Sequence, residues 1–195
     1  PHFPPNWFHF VVGLKAAGAT TLGIGDAPYD ELRPQLRDAL DEYYRVGDMA
    51  DYSELVRALG WFTHRHGKVD HLDSLNEHWM ELEAQLRTDF NIDGIRAEDV
   101  AIVKRKSLMK ERFERAGLLP ARGRVCRTPA ELRALVEEVG FPVVAKPDVG
   151  VGAARTYKLG DEVDLERYLR DKPPVDYLVE EFIAGQIVTF DGLAN

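Results

Sequence analysis

"FPVVAKPDVGVGAARTYKL", residues 141–159, reads as a β-strand, a loop of small residues and a second β-strand, with Lys146 at the mouth of the loop. Glycines at 150 and 152 let the backbone take φ > 0 and bring its N–H groups near a ligand with no Cβ in the way. Lys146 adds a point charge for a phosphate oxygen, and Pro147 stiffens the strand exit. On its own the stretch also reads as a mobile hairpin with a surface lysine. Its surroundings have to decide.

Three familiar phosphate motifs do not fit. A P-loop needs four residues between its glycines and then Gly-Lys-Ser/Thr, whereas the one Gly-Lys here, Gly67-Lys68, runs into Val69. "GIGDAP" (23–28) supplies half of a dinucleotide fingerprint but puts Pro28 where close helix–strand packing wants glycine or alanine. "GVGAAR" (150–155) lacks the third glycine and joins strand to strand, not strand to helix.

Outward from the hairpin, the order from residue 123 is β-α-β-β-α-β, a small α+β unit with a mostly antiparallel sheet. "GRVCR" is its first strand. Thr128-Pro129-Ala130-Glu131 is a capping box with proline at the first helical position, and Leu132, Leu135, Val136 and Val139 line one face of the helix it opens. A helix over 162–171 and the strand in "DYLVEEFIAG" complete the unit. One helix over 104–116 precedes it, with Met109, Phe113 and Ala116 as its stripe, ended by Gly117 and Pro120. Before residue 93 the pattern alternates between helices (6–17, 31–44, 51–66, 78–89) and strands (20–24, 44–47 and 68–75). That pattern predicts βαβ units and a parallel sheet. In the third helix Leu55, Val56, Leu59 and Phe62 form the apolar face. Two domains are expected, 1–93 and 94–195. Both ends read as cuts, with a first strand expected before the leading helix.

The 195 residues suffice for a real core, and 45% hydrophobic with 30% charged residues suits a soluble globular chain. A net charge of −8 argues against a general nucleic-acid or membrane-surface binder while leaving room for a local basic pocket. No apolar run is long enough to span a bilayer, and the start has no signal-peptide layout. Cys126, the one cysteine, makes neither an internal disulfide nor a zinc pattern, so a reducing cytoplasm is the expected setting.

Three segments together resemble the ATP-grasp superfamily, the fold of carboxylate-activating ligases such as D-alanine–D-alanine ligase and biotin carboxylase. "RKSLMKERFERAGLLPARG" is similar to the family's helix ending in Ala-Gly and proline, with Lys106 on its first ATP lysine. "FPVVAKPDVGVGA" matches the strand that ends in the second lysine, Lys146, before a phosphate loop containing Gly150, Gly152 and Ala153. "VEEFIAG" resembles the adenine hinge. The resemblance implies that the backbone from Glu180 through Glu181 and Phe182 to Ile183 bonds the adenine edge, with Phe182 and Ile183 near the ring. Residues 1–93 fit the small domain that precedes the nucleotide domain in these ligases, and "SLNEHWMELEAQL" resembles its strand-end Asn-Glu leading into a helix.

What the resemblance implies is an α/β chain made of a parallel βαβ pre-ATP-grasp domain and the first part of an ATP-grasp domain. ATP and Mg²⁺ would be the cofactors. A small carboxylate and a nucleophile, typically an amine, would be the substrates, and a homodimer follows by family analogy. Two lysines, backbone N–H groups and Mg²⁺ would stabilise charge on the transferring phosphoryl group. Three departures stand out. Ile187 occupies the position where many relatives carry a ribose-binding glutamate. Ala153 and Ala154 replace the usual serine or glycine. The family's Mg²⁺ ligands lie on a later subdomain, beyond Asn195. The departures keep a catalytically inactive ATP-binding regulatory module open as the alternative.

Other residues carry weaker signals. His64, His66, His71 and His78 lack carboxylate or cysteine partners at ligand spacing and read as solvated or capping groups. Glu77 at a strand's carboxyl end reads either as orienting substrate or as a charge favoured by the helix dipole. Lys104, Arg105 and Lys110 read as solvated helix charges within reach of a phosphate. Trp7, Trp61 and Trp79 are expected to pack against the sheet.

Overall fold

A computed structural model describes residues 5–150 and 155–189. The chain divides into two compact units, residues 1–100 and 101–195.

In the first unit, helix α1 (Phe8–Ala16) precedes strand β1 (Leu22–Gly25), and helix α2 (Pro34–Ala39) crosses over to strand β2 (Glu42–Arg45). The strands pair in parallel, Leu22 opposite Glu42 and Ile24 opposite Tyr44. Pro34 opens α2, where a missing N–H costs nothing. Phe8, Leu32 and Leu36 pack with Tyr43 to cover one face of the pair. Helix α3 (Tyr52–His66) covers the other, opened by Asp51, whose carboxylate accepts the N–H of Ser53 at 2.8 Å. Leu55, Ala58, Leu59 and Phe62 are its buried stripe, and Gly67 ends it at φ +85°. A 3-10 turn (Glu77–Trp79) leads into helix α4 (Met80–Asp89), whose Leu86 joins Val46 and Ile92 in the same core as α3.

Two expectations fail here. The helix placed over 31–44 is only α2, because the chain turns extended at Leu40 (φ −85°, ψ 131°) and pairs from Glu42. Residues 68–75 form no strand. Arg87 Nε donates to the Leu72 carbonyl at 2.9 Å, and the Ser74 N–H donates to the Glu83 carboxylate. Side chains of α4 take the backbone groups that a ladder would have used. Val69 and Leu72, three residues apart, turn to the core together, which an alternating strand does not permit.

In the second unit, strands β3 (Gly123–Val125), β4 (Val143–Pro147), β5 (Tyr157–Leu159) and β6 (Tyr177–Glu181) form one antiparallel sheet in the order β3-β6-β4-β5. Helix α5 (Val100–Lys104) and helix α6 (Lys106–Arg115) lead in; helices α7 (Pro129–Val139) and α8 (Glu162–Asp171) fill the two crossovers. In α7, Thr128 Oγ1 accepts the Glu131 N–H at 3.2 Å while Glu131 Oε2 accepts the Thr128 N–H at 3.0 Å. Leu132 and Leu135 of α7 and Leu165 and Tyr168 of α8 pack on Val143, Ala145, Tyr177 and Val179. Both helices therefore cover one face of the sheet, and Lys110 of α6 meets Glu180 on the other. A Cβ on Gly123 would stand 2.2 Å from the Val179 carbonyl oxygen, so β3 can approach β6 only as glycine.

The single helix expected over 104–116 is broken at Arg105 (φ −94°, ψ 119°), which makes Lys106 the first residue of α6. Its buried position is Lys110, while Phe113 and Ala116 face solvent, so the expected Met109–Phe113–Ala116 stripe is not the packed face. Among the described residues no helix is long and apolar enough to cross a membrane.

Candidate functional site

Register decides which side chains share the open face. Lys146 stands opposite Leu178, and Val144 stands between Glu180 on one side and Lys158 on the other. Gly123 and Val125 pair with Glu180 and Leu178. Side chains opposite one another lie on one face and neighbours along a strand on the other. Lys146, Lys158 and Glu180 therefore project from the face that α7 and α8 leave bare.

Glu180 is 8% exposed, and its two oxygens are divided between two ammonium groups. Lys110 of α6 holds Oε1 at 2.8 Å and also donates to the Ala121 carbonyl; Lys146 holds Oε2. Lys110, read from the sequence as a solvated charge, is 7% exposed. The available signal was its place one helical turn after Lys106, on the same side of α6.

Asp148 is a residue that the sequence reading did not single out. It is 2% exposed, two residues beyond Lys146 and two before Gly150. Its carboxylate accepts the Ser107 N–H at 2.8 Å and the Ser107 hydroxyl at 3.0 Å, with Arg105 Nη1 at 3.6 Å. Its carbonyl accepts the Lys106 N–H at 3.0 Å, and its own N–H donates to Asp176 at 3.0 Å. A helix start leaves N–H groups without intrahelical acceptors, and Asp148 supplies acceptors from the exit of β4. The break at Arg105 follows from this grip. Lys106 Nζ then reaches the Gly150 carbonyl at 2.8 Å, and Gly150 takes φ +134°, a conformation that side chains rarely tolerate. Gly152 and Ala153 lie outside the described residues.

At the end of β6 the four hinge positions diverge. Glu181 turns away from the open face to Arg122, which holds Oε2 through Nε at 2.9 Å and Nη2 at 2.7 Å; these bonds pull its carboxyl below the usual range. The Phe182 N–H donates to the Pro142 carbonyl at 3.1 Å, and Lys158 Nζ sits 3.8 Å above the Phe182 ring, a cation–π arrangement. Ile183 and Ile187 are exposed, Ile187 at 93%.

The remaining candidates are elsewhere. His66 Nε2 lies 2.6 Å from Glu42 Oε2, alongside Arg65 Nε at 2.9 Å and the half-exposed Trp61, whose indole N–H donates to Glu42 Oε1 at 2.7 Å. Trp61 thus lies at the edge of its helix face instead of packing flat on the sheet. Glu77 sits in the 3-10 turn before α4, opened by the Asn76 side chain. Among the described residues no group of three or more His, Cys, Asp or Glu side chains forms a metal cage.

A four-stranded antiparallel sheet with lysines on its open face, preceded by a parallel βαβ unit, is similar in fold to the corresponding portion of solved ATP-grasp ligases. In structure the chain is similar to the biotin carboxylase domain of Hydrogenobacter thermophilus 2-oxoglutarate carboxylase, a dimer in complex with MgADP, ADP and bicarbonate. The TM-score is 0.68 at 18% identity, over 90% of this chain and 42% of that one. An L-amino acid ligase from Bacillus licheniformis matches with TM-score 0.65 and 18% identity, over 90% and 41% of the two chains. In sequence, the carbamoyl phosphate synthase large chain of Methanosarcina acetivorans is 26% identical over 112 residues, which is 54% of this chain and 10% of that one. No family model matches the chain. The chain spans about a tenth of that curated relative and about two fifths of the solved structures.

Proposed function

We propose that this chain is the nucleotide-binding N-terminal part of an ATP-dependent ligase that joins a carboxylate to an amine or another nucleophile. One observation carries the reading: the Lys106 ammonium reaches, from 44 residues away, the carbonyl of Gly150, four residues beyond Lys146 on the open sheet face, and Phe182 and Ile183 at the exit of β6 are exposed. Lys106 and Lys146 would hold phosphate oxygens as point charges, with the glycine loop giving backbone N–H groups, and the β6 exit would take the base. The donor set fits a nucleoside triphosphate. Mg²⁺, which would neutralise the phosphates, finds no cage among the described residues. In the proposed reaction a substrate carboxylate oxygen attacks the γ-phosphorus and ADP leaves. The nucleophile then attacks the acyl carbon and inorganic phosphate leaves. The residues of this chain bind and orient the triphosphate for the first step, where in-line positioning with charge neutralisation is what the transfer requires. The lone buried thiol Cys126 accords with a reducing, cytoplasmic setting.

Hydroxylamine trapping tests the reaction class. The full-length protein is incubated with ATP, Mg²⁺, hydroxylamine and a panel of amino acids, keto acids and bicarbonate. Hydroxamate or stoichiometric ADP and phosphate formation that depends on one carboxylate is the expected result. Nucleotide binding with no carboxylate-dependent turnover across the panel would favour the regulatory-module reading.

A further inference from the structure

We propose that Lys110 is a positioning residue of the nucleotide site: it keeps the buried Glu180 carboxylate paired, so that Lys146 is free to leave Glu180 for a phosphate oxygen. The proposal rests on the nucleotide reading above and deepens it.

The two lysines on Glu180 are not equivalent. The Lys110 side chain is 8% exposed, holds Oε1 at 2.8 Å and is held a second time by the Ala121 carbonyl. The Lys146 side chain is 32% exposed and stands at the end of β4, where the glycine loop begins. Lys146 is therefore the partner placed to swing out towards an anion, and Lys110 the one that stays. The consequence is electrostatic. A carboxylate this deeply buried is costly to leave without a cation, because breaking one partner of a buried pair strands the other charge. With Lys110 present, Lys146 can exchange Glu180 for phosphate and the carboxylate remains paired. Without Lys110, Glu180 and phosphate compete for one ammonium, and Glu180 is the nearer competitor. Lys110 thus acts through Glu180 and Lys146, not on the nucleotide.

A double-mutant cycle tests this. The full-length protein and its Lys110→Gln, Glu180→Gln and doubly substituted forms are titrated with a non-hydrolysable ATP analogue and Mg²⁺. Lys110→Gln should weaken binding about tenfold or more, while Glu180→Gln binds at least as tightly as the wild type. The double variant should return to within about threefold of Glu180→Gln, because no carboxylate is left to compete. That comparison stays informative even if Lys110→Gln alone fails to fold, since the double variant contains neither buried charge and Glu180→Gln leaves the Lys110 ammonium on the Ala121 carbonyl. A double variant about tenfold weaker than Glu180→Gln would overturn the proposal, as Lys110 would then act independently of the carboxylate. So would a folded Lys110→Gln that binds like the wild type, or a Glu180→Gln that binds about tenfold more weakly. A wild type that ignores the analogue would instead overturn the nucleotide reading itself.

Discussion

The N–H of Lys106 donates to the carbonyl of Asp148 at 3.0 Å, joining the first residue of α6 to the exit of β4. A second bond runs from the Lys106 ammonium to Gly150, 44 residues away in sequence. Lys106 is therefore fixed relative to the strand that carries Lys146 by backbone and a buried carboxylate, not by side-chain reach alone.

Asp148→Ala should unfasten this junction. Ser107 would keep a part-buried N–H and hydroxyl without their acceptor, at a cost of roughly 1–3 kcal/mol for the pair. The expected result is a lower unfolding midpoint in urea together with weaker nucleotide binding. Asp148→Asn, which keeps one acceptor oxygen in place, should lose less of both. Unchanged affinity in a destabilised Asp148→Ala protein would restrict Asp148 to a purely structural part.

Gly123→Ala tests the close approach of β3 to β6. A methyl 2.2 Å from the Val179 carbonyl oxygen cannot be absorbed by a rotamer change, because the obstacle is backbone. Destabilisation of about 2 kcal/mol or more is expected, read by chemical denaturation. A neutral effect would mean that the β3–β6 pairing is looser than described.

Acid should act on the first unit through Glu42. Hydrogen bonds from Trp61, His66 and Arg65 lower its pKa from 4.5 to about 2. A depressed folded-state pKa gives stability that is present above the ordinary value and lost as the pH falls through the folded one. The wild type should therefore lose stability between about pH 5 and pH 2 more steeply than Glu42→Gln. Parallel acid limbs in the two proteins would remove Glu42 from the account.

Cys126 should resist thiol reagents in the folded state. It is buried in the core beneath α7, and burial pushes its thiol up to about 11. Thiolate is the reactive form, so labelling with a disulfide reagent should be slow until denaturant unfolds the second unit. Rapid native-state labelling would show that the core around it opens.

Much of this architecture was legible because its signals are local. The capping box at Thr128–Glu131, the stripe of α3 and the strand–loop–strand around Lys146 each lie within a few turns of chain. What sequence pattern missed was set by distant partners. α6 starts at Lys106 because Asp148 arrives there from β4, and nothing near Arg105 announces a break. Lys110 looks like any helix-surface lysine until β6 brings Glu180 to it. Residues 68–75 read as a strand from sequence, yet Arg87 and Glu83 of α4 bind the Leu72 carbonyl and the Ser74 N–H. Among the site positions named from the motifs, Glu181 turns its side chain away from the open face to Arg122.

The central claim is that Lys146 grips a phosphate of ATP. Calorimetric titration of the full-length protein and its Lys146→Ala form with a non-hydrolysable ATP analogue and Mg²⁺ tests it most directly. Loss of one charge-assisted bond, about 1.5–3 kcal/mol, predicts binding weakened roughly ten- to a hundredfold. Equal affinity in the two proteins would make Lys146 a hairpin lysine whose partner is only Glu180, and a wild type that does not bind would contradict the account altogether.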